Sequence, residues 1–371
     1  MFARGETIIQ LMERLAPKHY AVPDDKIGLQ VGSAAKPIGR VLIALDVNAE
    51  VVEEATKIGA ELIIAHHAVI YRPLAHLRTD TPAGALAASL LRNDIAVYVS
   101  HTNLDTADGG MNDWMAEALQ LVGREVLEEV HTDQLFKLVV FVPQTHQDKV
   151  RAALFGAGAG WIGNYSHCSF NTEGTGTFEP REGTDPFIGK QGKLEHVAEI
   201  RIETVVPQSV RKAVIAAMLK AHPYEEVAYD LYPMDLKGRS FGLGRVGVLD
   251  TPESLDQFAE RVKSAFDVPF VRLVGDGSRQ IRKVAVLGGS GGRYIRHASF
   301  AGADVLVTGD IDYHTAQDAE AMGLAVIDPG HNAEKIMKAK TAEWLQQQLK
   351  EKGYTTEIFA SQVNTEPFKL R

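Results

Sequence analysis

Apolar and polar positions follow two different periods along the chain, and their order predicts the elements. "RVLIALDV" (40–47) is a β-rich run ending in a polar position, and "NAEVVEEATKIGA" (48–60) sets Val51, Val52, Ala55 and Ile58 at helical spacing. "ELIIAHH" (61–67) is apolar almost throughout, as a strand covered on both faces must be. "TPAGALAASLLRND" (81–94) predicts a helix with Thr81 as cap and Pro82 in its first turn, and "IAVYVSHTNLD" (95–105) a buried strand running into a polar loop. Strand–helix–strand alternation of this kind implies a largely parallel, doubly wound sheet.

The pattern changes near residue 130. "FKLVVFVP" (136–143), a helix around "QDKVRAALFGAGA", "IGNYSHCSF" (162–170), "AEIRIETVVP" (198–207), a helix "SVRKAVIAAMLKA" and "VAYDLYPM" (227–234) give the order βαββαβ, the split-βαβ or ferredoxin-like arrangement. The Gly- and Pro-rich stretch from Asn171 to Gly192 reads as a hairpin or loop inside it, and "KGRSFGLGRVGVL" (237–249) as a return linker. From about 255 the α/β rhythm resumes and ends in a long helix, "AEKIMKAKTAEWLQQQLKEKG". The expected fold class is α/β. Two similar α/β lobes (1–130 and 237–371) form one domain around an inserted ferredoxin-like domain (131–236).

The lobes read as degenerate copies. "GAELIIAHH" (59–67) aligns without gaps to "GADVLVTGD" (302–310), and "IAVYVSHTNLD" (95–105) to "LAVIDPGHNAE" (324–334). In the second pairing Asp105 falls opposite Glu334. Both matches end at strand C-termini, where open α/β sheets bind ligands.

Composition narrows the classes. A net charge of -9 argues against a general nucleic-acid binder. The N-terminus lacks a long apolar h-region, and no window approaches a membrane span of roughly 20 apolar residues; the expectation is a cytoplasmic protein. Cys168 is the only cysteine, so there is no internal disulfide, and a metal here needs nitrogen and oxygen ligands.

Candidate ligands lie at those strand ends. Neighbouring side chains on a strand leave opposite faces, so "HH" suits two ions, one per imidazole, joined by a bridging carboxylate. "HTNLD" offers Asp105 and "GHNAEK" offers Glu334, with His331 three residues before it on the same face of a helix start. The set is His66, His67, Asp105, His331 and Glu334. Imidazole and carboxylate without thiolate suit zinc or iron. Against this, each residue has a plain reading: hydrogen-bonded core histidines, an Asx-turn at Asp105, a first-turn helix charge at Glu334.

Taken together, "KIGLQVG" (26–32), "IIAHHAVIY", "SHTNLDTADGGMND" (100–113), "VTGDIDYH" (307–314) and "DPGHNAEK" (328–335) resemble the Nif-three-like family, whose members are known as type 2 GTP cyclohydrolase I homologues or dinuclear-metal-centre hexameric proteins. The resemblance covers essentially the whole chain and matches the longer bacterial form, whose middle domain is similar to the PII and CutA trimeric proteins. It implies that His66, His67, Asp105, His331 and Glu334 hold two divalent ions per subunit. It implies also a homohexamer, a trimer of dimers, with the metal sites facing an internal cavity.

The remaining motifs are weaker. "GGSGGR" (288–293) lacks the Lys-Ser/Thr of a phosphate loop and reads as a strand-to-helix turn, with Arg293 a candidate phosphate contact. Asp310 and His314 occupy the place of "HH" in the second lobe, as ligand-orienting groups, proton carriers or a plain helix cap. Tyr224, Glu225 and Glu226 in "AHPYEEVAYD" are candidates for a subunit interface or channel, and His167 beside Cys168 lacks a third ligand. The function expected is a dinuclear metal-dependent hydrolase acting on a small anionic substrate: a GTP cyclohydrolase-type reaction or another nucleotide or phosphoester. The alternative is a non-enzymatic, hexameric metal-binding regulator or adaptor whose PII-like insert senses a ligand.

Overall fold

A computed structural model describes residues 1–369, which divide into two compact units: residues 1–131 together with the chain from Phe241 onward, and residues Thr132–Ser240. The chain leaves the first unit within the strand Val122–Pro143 and re-enters it within Tyr229–Ser254.

In the first unit two sheets follow one plan. Strands Arg40–Ala44, Leu62–Ala65 and Ala96–Val99 run parallel, and Gly28–Val31, which precedes them in the chain, pairs antiparallel with the third. In the second sheet Gln280–Ser290, Val305–Gly309 and Ala325–Asp328 run parallel, and the preceding Arg272–Val274 again pairs antiparallel with the third. The repeat seen in the sequence is therefore a repeat of topology. Glu357–Ala360, from the far end of the chain, extends the first sheet beside Arg40–Ala44.

Both faces of these strands are buried. Ile43, Ile64 and Tyr98 enter one core, while their neighbours Leu42, Ile63 and Val97 enter another. Val286, Val307 and Ile327 of the second sheet join the same core as Ile43, Ile64 and Tyr98, so the two lobes share it. Burial on both faces explains why these strands read as unbroken apolar runs. Each side chain of this size withdrawn from water stabilises the fold by roughly 1.5–3 kcal/mol.

Helix ends follow local chemistry. Asn48 caps Ala49–Ile58 by accepting from the Val51 N–H, and Gly59 closes it at φ 69°. Pro82 sits in the first turn of Pro82–Arg92, but the Thr81 hydroxyl donates to Arg78 O and does not cap. Among the described residues no helix is long and apolar enough to cross a membrane.

The Thr132–Ser240 unit has the order βαββαβ, its sheet arranged fourth, first, third, second. Helices Gln147–Gly156 and Arg211–Ala221 pack on one face through Val150, Leu154, Val214 and Met218 against Ile200, Ile202 and Val206. Two expectations fail in detail. The strand expected at 162–170 begins only at Ser169 and continues to Phe178, inside the stretch read as a loop. Residues before it are held by left-handed turns at Gly160, Gly163 and His167, and an edge strand needs no apolar alternation to pair. The segment 237–249 is strand, not linker. Its glycines reflect close backbone approach: a Cβ on Gly238 would stand 2.1 Å from Asp133 O, and one on Gly242 would stand 1.9 Å from Glu128 O.

Candidate metal centre

Five parallel strands of the first unit end at one place. His66 and His67 follow Leu62–Ala65, His101 and Asp105 follow Ala96–Val99, and His331 and Glu334 follow Ala325–Asp328. Asp46 and Asp310 leave the ends of two more. The His66 and His67 N–H groups still donate to Ala44 O and Leu45 O, at 3.1 and 2.9 Å, yet their rings do not leave on opposite faces as the strand pattern predicted: past the end of the strand they stand 5.2 Å apart, centroid to centroid. His331–Lys335 forms a 3-10 turn, in which residues three apart eclipse, and this stacks His331 over Glu334.

The five residues expected from sequence come together in two overlapping groups. His67 Nε2 lies 3.1 Å from Glu334 Oε2 and 3.3 Å from His331 Nε2, and His331 Nε2 is 3.2 Å from the same carboxylate oxygen. His66 Nε2 lies 3.5 Å from Asp105 Oδ1 and 3.8 Å from Glu334 Oε1. In each group the three ligand atoms lie within 4.8 Å of one another. Glu334 belongs to both, one oxygen to each. His66 Nε2 and Asp105 Oδ1 are buried without a hydrogen-bond partner, although such atoms normally have one. A cation between them would satisfy both, so this donor set of imidazoles and carboxylates fits a divalent metal.

The imidazoles are pre-oriented. His66 Nδ1 is 2.9 Å from Ser100 O, an acceptor only; Nδ1 therefore carries a proton, and Nε2 is the nitrogen turned to the centre. His67 Nδ1 is held by Asp46 Oδ1 at 2.7 Å and His331 Nδ1 by Asp310 Oδ2 at 2.7 Å. Asp46 is itself fixed by the Thr365 hydroxyl. Anchoring the far nitrogen this way fixes ring and tautomer and raises ligand basicity.

Electrostatics reflect the same crowding. Burial opposes charge on His67, but hydrogen bonds to Asp46 and Glu334 outweigh it and lift the ring to about 10. The hydrogen bond to Glu334 lifts His331 to about 9. Burial pushes the Asp105 carboxyl up to about 6. Glu334, despite its own burial, is held well below the usual carboxylate range by the facing histidines, His66 foremost.

Sequence reasoning missed four contributors. One ring nitrogen of His101 lies within 4.8 Å of those of His66 and His67, and its Nδ1 is anchored 2.9 Å from Asp25 Oδ1. Asp46 ended an apolar run and was read only as a strand terminus. Gly288 and Gly289 belong to the strand Gln280–Ser290, and a Cβ on either would stand 2.9 Å from Glu334 Oε1. The "GGSGGR" segment thus clears space for the bridging carboxylate. Of the weaker candidates, Asp310 supports His331, whereas His314 is exposed on the helix Tyr313–Ala321, which Asp312 caps. Among the described residues His167 and Cys168 join no metal-binding group.

The centre opens into a cleft of about 1310 Å³. Tyr71 and Phe270 give it apolar walls, and Arg272, Lys335 and Asn332 give it hydrogen-bond donors.

Comparison with known proteins places these features in context. Residues 3–367 match the Duf34/NIF3 (NGG1p interacting factor 3) family. A Halalkalibacterium halodurans protein named "GTP cyclohydrolase 1 type 2 homolog" is 56% identical over 366 residues, covering 99% of this chain and 98% of the relative. A Bacillus subtilis protein of the same name is 54% identical over 364 residues, covering 98% of both. The crystal structure of a Bacillus cereus protein related to NIF3 superposes with a TM-score of 0.95 at 52% identity, over 100% of each chain.

Proposed function

The chain belongs to the Duf34/NIF3 family, and from that premise we propose that it is a dinuclear divalent-metal-dependent hydrolase of small anionic substrates. A nucleotide or phosphoester is the class intended, and the relatives' name points to a GTP cyclohydrolase-type ring opening. The observation that carries the reading is Glu334, whose two oxygens each complete a separate group of candidate ligand atoms, one buried and one at the cleft. We assign His67 and His331 to one ion and His66 and Asp105 to the other, with zinc or iron as the metal. When bound, such a pair supplies Lewis acidity and a nucleophile from water at neutral pH. The chain's own part is to hold and orient. Asp46, Asp310 and Ser100 O fix the imidazoles, and Tyr71 and Phe270 displace water around an apolar portion; Arg272 and Lys335 line the cleft but are paired with Asp328 and Asp267, so they meet substrate only through their remaining N–H groups. His101, backed by Asp25, stands beside the centre as the group that carries a proton to or from the substrate.

The experiment is turnover by metal-loaded protein over a panel of GTP, other nucleotides and phosphoesters, with His67→Ala as control. Hydrolysis that disappears in His67→Ala supports the proposal; an inert panel with both ions demonstrably bound overturns it. We also propose a homohexamer built as a trimer of dimers. Light scattering at a mass near six chains is the expected outcome, and a monodisperse monomer contradicts it.

A second reading makes the protein a non-enzymatic metal-binding regulator with a PII-like sensing unit. What favours it is a cavity of about 650 Å³ lined wholly by residues of the Thr132–Ser240 unit, sharing none with the metal centre.

A further inference from the structure

In the Thr132–Ser240 unit both α-helices cover the same face of the sheet, the one that carries Ile200 and Ile202. Alternation along Glu195–Pro207 sends Val197, Glu199, Arg201 and Glu203 to the other face. Over that face fold the segment 179–192 and the turn 222–228, tied together where the Asp185 N–H donates to Glu225 Oε1 at 3.1 Å. The space between them is the cavity noted above, open on one side to solvent.

Its polar centre is Glu199, only 7% exposed. Oε1 accepts from the Tyr224 hydroxyl at 2.9 Å, a neutral donor. The other oxygen lies over Gly176, where a Cβ would come within 2.1 Å, so the edge strand is stripped of a side chain where the carboxylate sits. The two guanidiniums lining the cavity are engaged elsewhere: Arg201 pairs with Glu203 at 3.0 Å and Arg181 with Glu179 at 3.1 Å. Aromatic rings form the walls. Phe178 and Phe187 stand 5.9 and 6.4 Å from Tyr224, centroid to centroid. Glu225 and Glu226 add negative charge at the lining.

A buried carboxylate that pairs with no cation among the described residues, in a cavity walled by aromatic rings, repels anions and attracts positive charge carried on an apolar body. We propose that this cavity binds an organic cation, an amine, amidinium or guanidinium on an apolar frame, with Glu199 as its counter-ion and Phe178, Phe187 and Tyr224 as its cage. The proposal deepens the sensing reading and is independent of the metal assignment.

The test is calorimetric titration of the full-length protein with benzamidine and, as the neutral near-isostere, benzamide. A parallel arm uses Nα-acetyl-arginine amide, which represents the same chemistry presented by a protein side chain. Binding of benzamidine or the arginine derivative, with benzamide at least tenfold weaker and a tenfold or larger loss in E199Q, supports the proposal; the tighter of the two cations identifies the source. Phe187, half-exposed on the covering segment, gives a second variant that leaves the core intact: F187A weakens the cation several-fold. Equal affinity for benzamidine and benzamide overturns the proposal, as does silence toward both cations. Asp105→Asn leaves cation affinity unchanged, so failure here and failure of the metal reading are distinguishable.

Discussion

The two α/β lobes use one topology to opposite chemical ends. At the close of the first parallel strand, one lobe has Asp46, which orients His67, and the other has Gly288 and Gly289, which make room for Glu334. At the second strand, one lobe supplies two candidate ligands, His66 and His67; the other supplies Gly309 and the supporting Asp310. At the third, both place a carboxylate at the same aligned position, Asp105 and Glu334, but only Glu334 lies within reach of both groups. A duplicated scaffold fixes where the loops meet and leaves each loop free to become ligand, support or empty space. The asymmetry gives two unlike groups of side chains: one deeply buried around His66 and Asp105, one beside the cleft around His67 and His331.

The sharpest break in that comparison comes from the two aligned carboxylates. Glu334→Gln removes a bridging charge, so elemental analysis is expected to find both ions lost, whereas Asp105→Asn loses only the buried one. Each ion held at a hundredfold its dissociation constant adds about 2.7 kcal/mol to stability, so the thermal midpoint of metal-loaded protein should fall more in Glu334→Gln. Equal metal loss in the two variants would remove the distinction between bridging and terminal carboxylate.

Next in size is the contrast between space and support. Gly289→Ala forces a side chain into φ 62° and against Glu334 Oε1. Left-handed strain alone costs about 1–3 kcal/mol, and displacement of the carboxylate is expected to lower metal content as well. Asp46→Ala, at the matching strand end, leaves the space unchanged but frees the His67 ring, with an expected affinity loss of about 10–100-fold at the site of His67 and His331. Competition with a chelating dye measures both. Wild-type affinity in Gly289→Ala would show that the glycine is only a turn residue.

Much of this was legible in sequence, for identifiable reasons. Strands buried on both faces advertise themselves as apolar runs, and the candidate histidines and acids that the fold brings together sit in short local motifs at their ends. Asp46, Asp25 and Gly289 were not legible as site residues, because their meaning lies in contacts with His67, His101 and Glu334, which are 21, 76 and 45 positions away. The edge strand Ser169–Phe178 was obscured because exposed strands carry no core pattern, and the 237–249 segment because glycine in a tightly approached strand reads like glycine in a linker.

Glu334 and the supporting aspartates also set a pH dependence. Folded His67 and His331 titrate near 10 and 9, above the roughly 6.5 of an unfolded histidine. The folded metal-free chain therefore binds more protons than the unfolded one between those limits. That contribution to stability is complete below about 6.5 and is lost as pH rises through 9 to 10. Metal affinity runs the other way, strengthening over the same window as protons leave the ligands. Asp310→Asn should weaken this dependence at His331, but by a factor of ten or less, roughly, because the pair is partly exposed and screened. Metal affinity independent of pH between 6.5 and 9 would contradict the arrangement.

The smallest expected effect separates two residues that are near neighbours in the sequence. His314 follows Asp310 by four positions, at the same strand-end loop of the second lobe, yet its ring is exposed while its N–H is taken up by the Asp312 cap. The helix start is carried by Asp312, whose side chain accepts from the N–H groups of both His314 and Thr315. His314→Ala therefore removes no ligand, no support and no cap, and its effect on stability should lie within about 0.5 kcal/mol. Metal content and its pH profile should match wild type, against a measurable shift in Asp310→Asn. A loss of metal in His314→Ala would mean that the second lobe supports its ligands through the helix as well as through the loop, and the division of roles between the lobes would have to be redrawn.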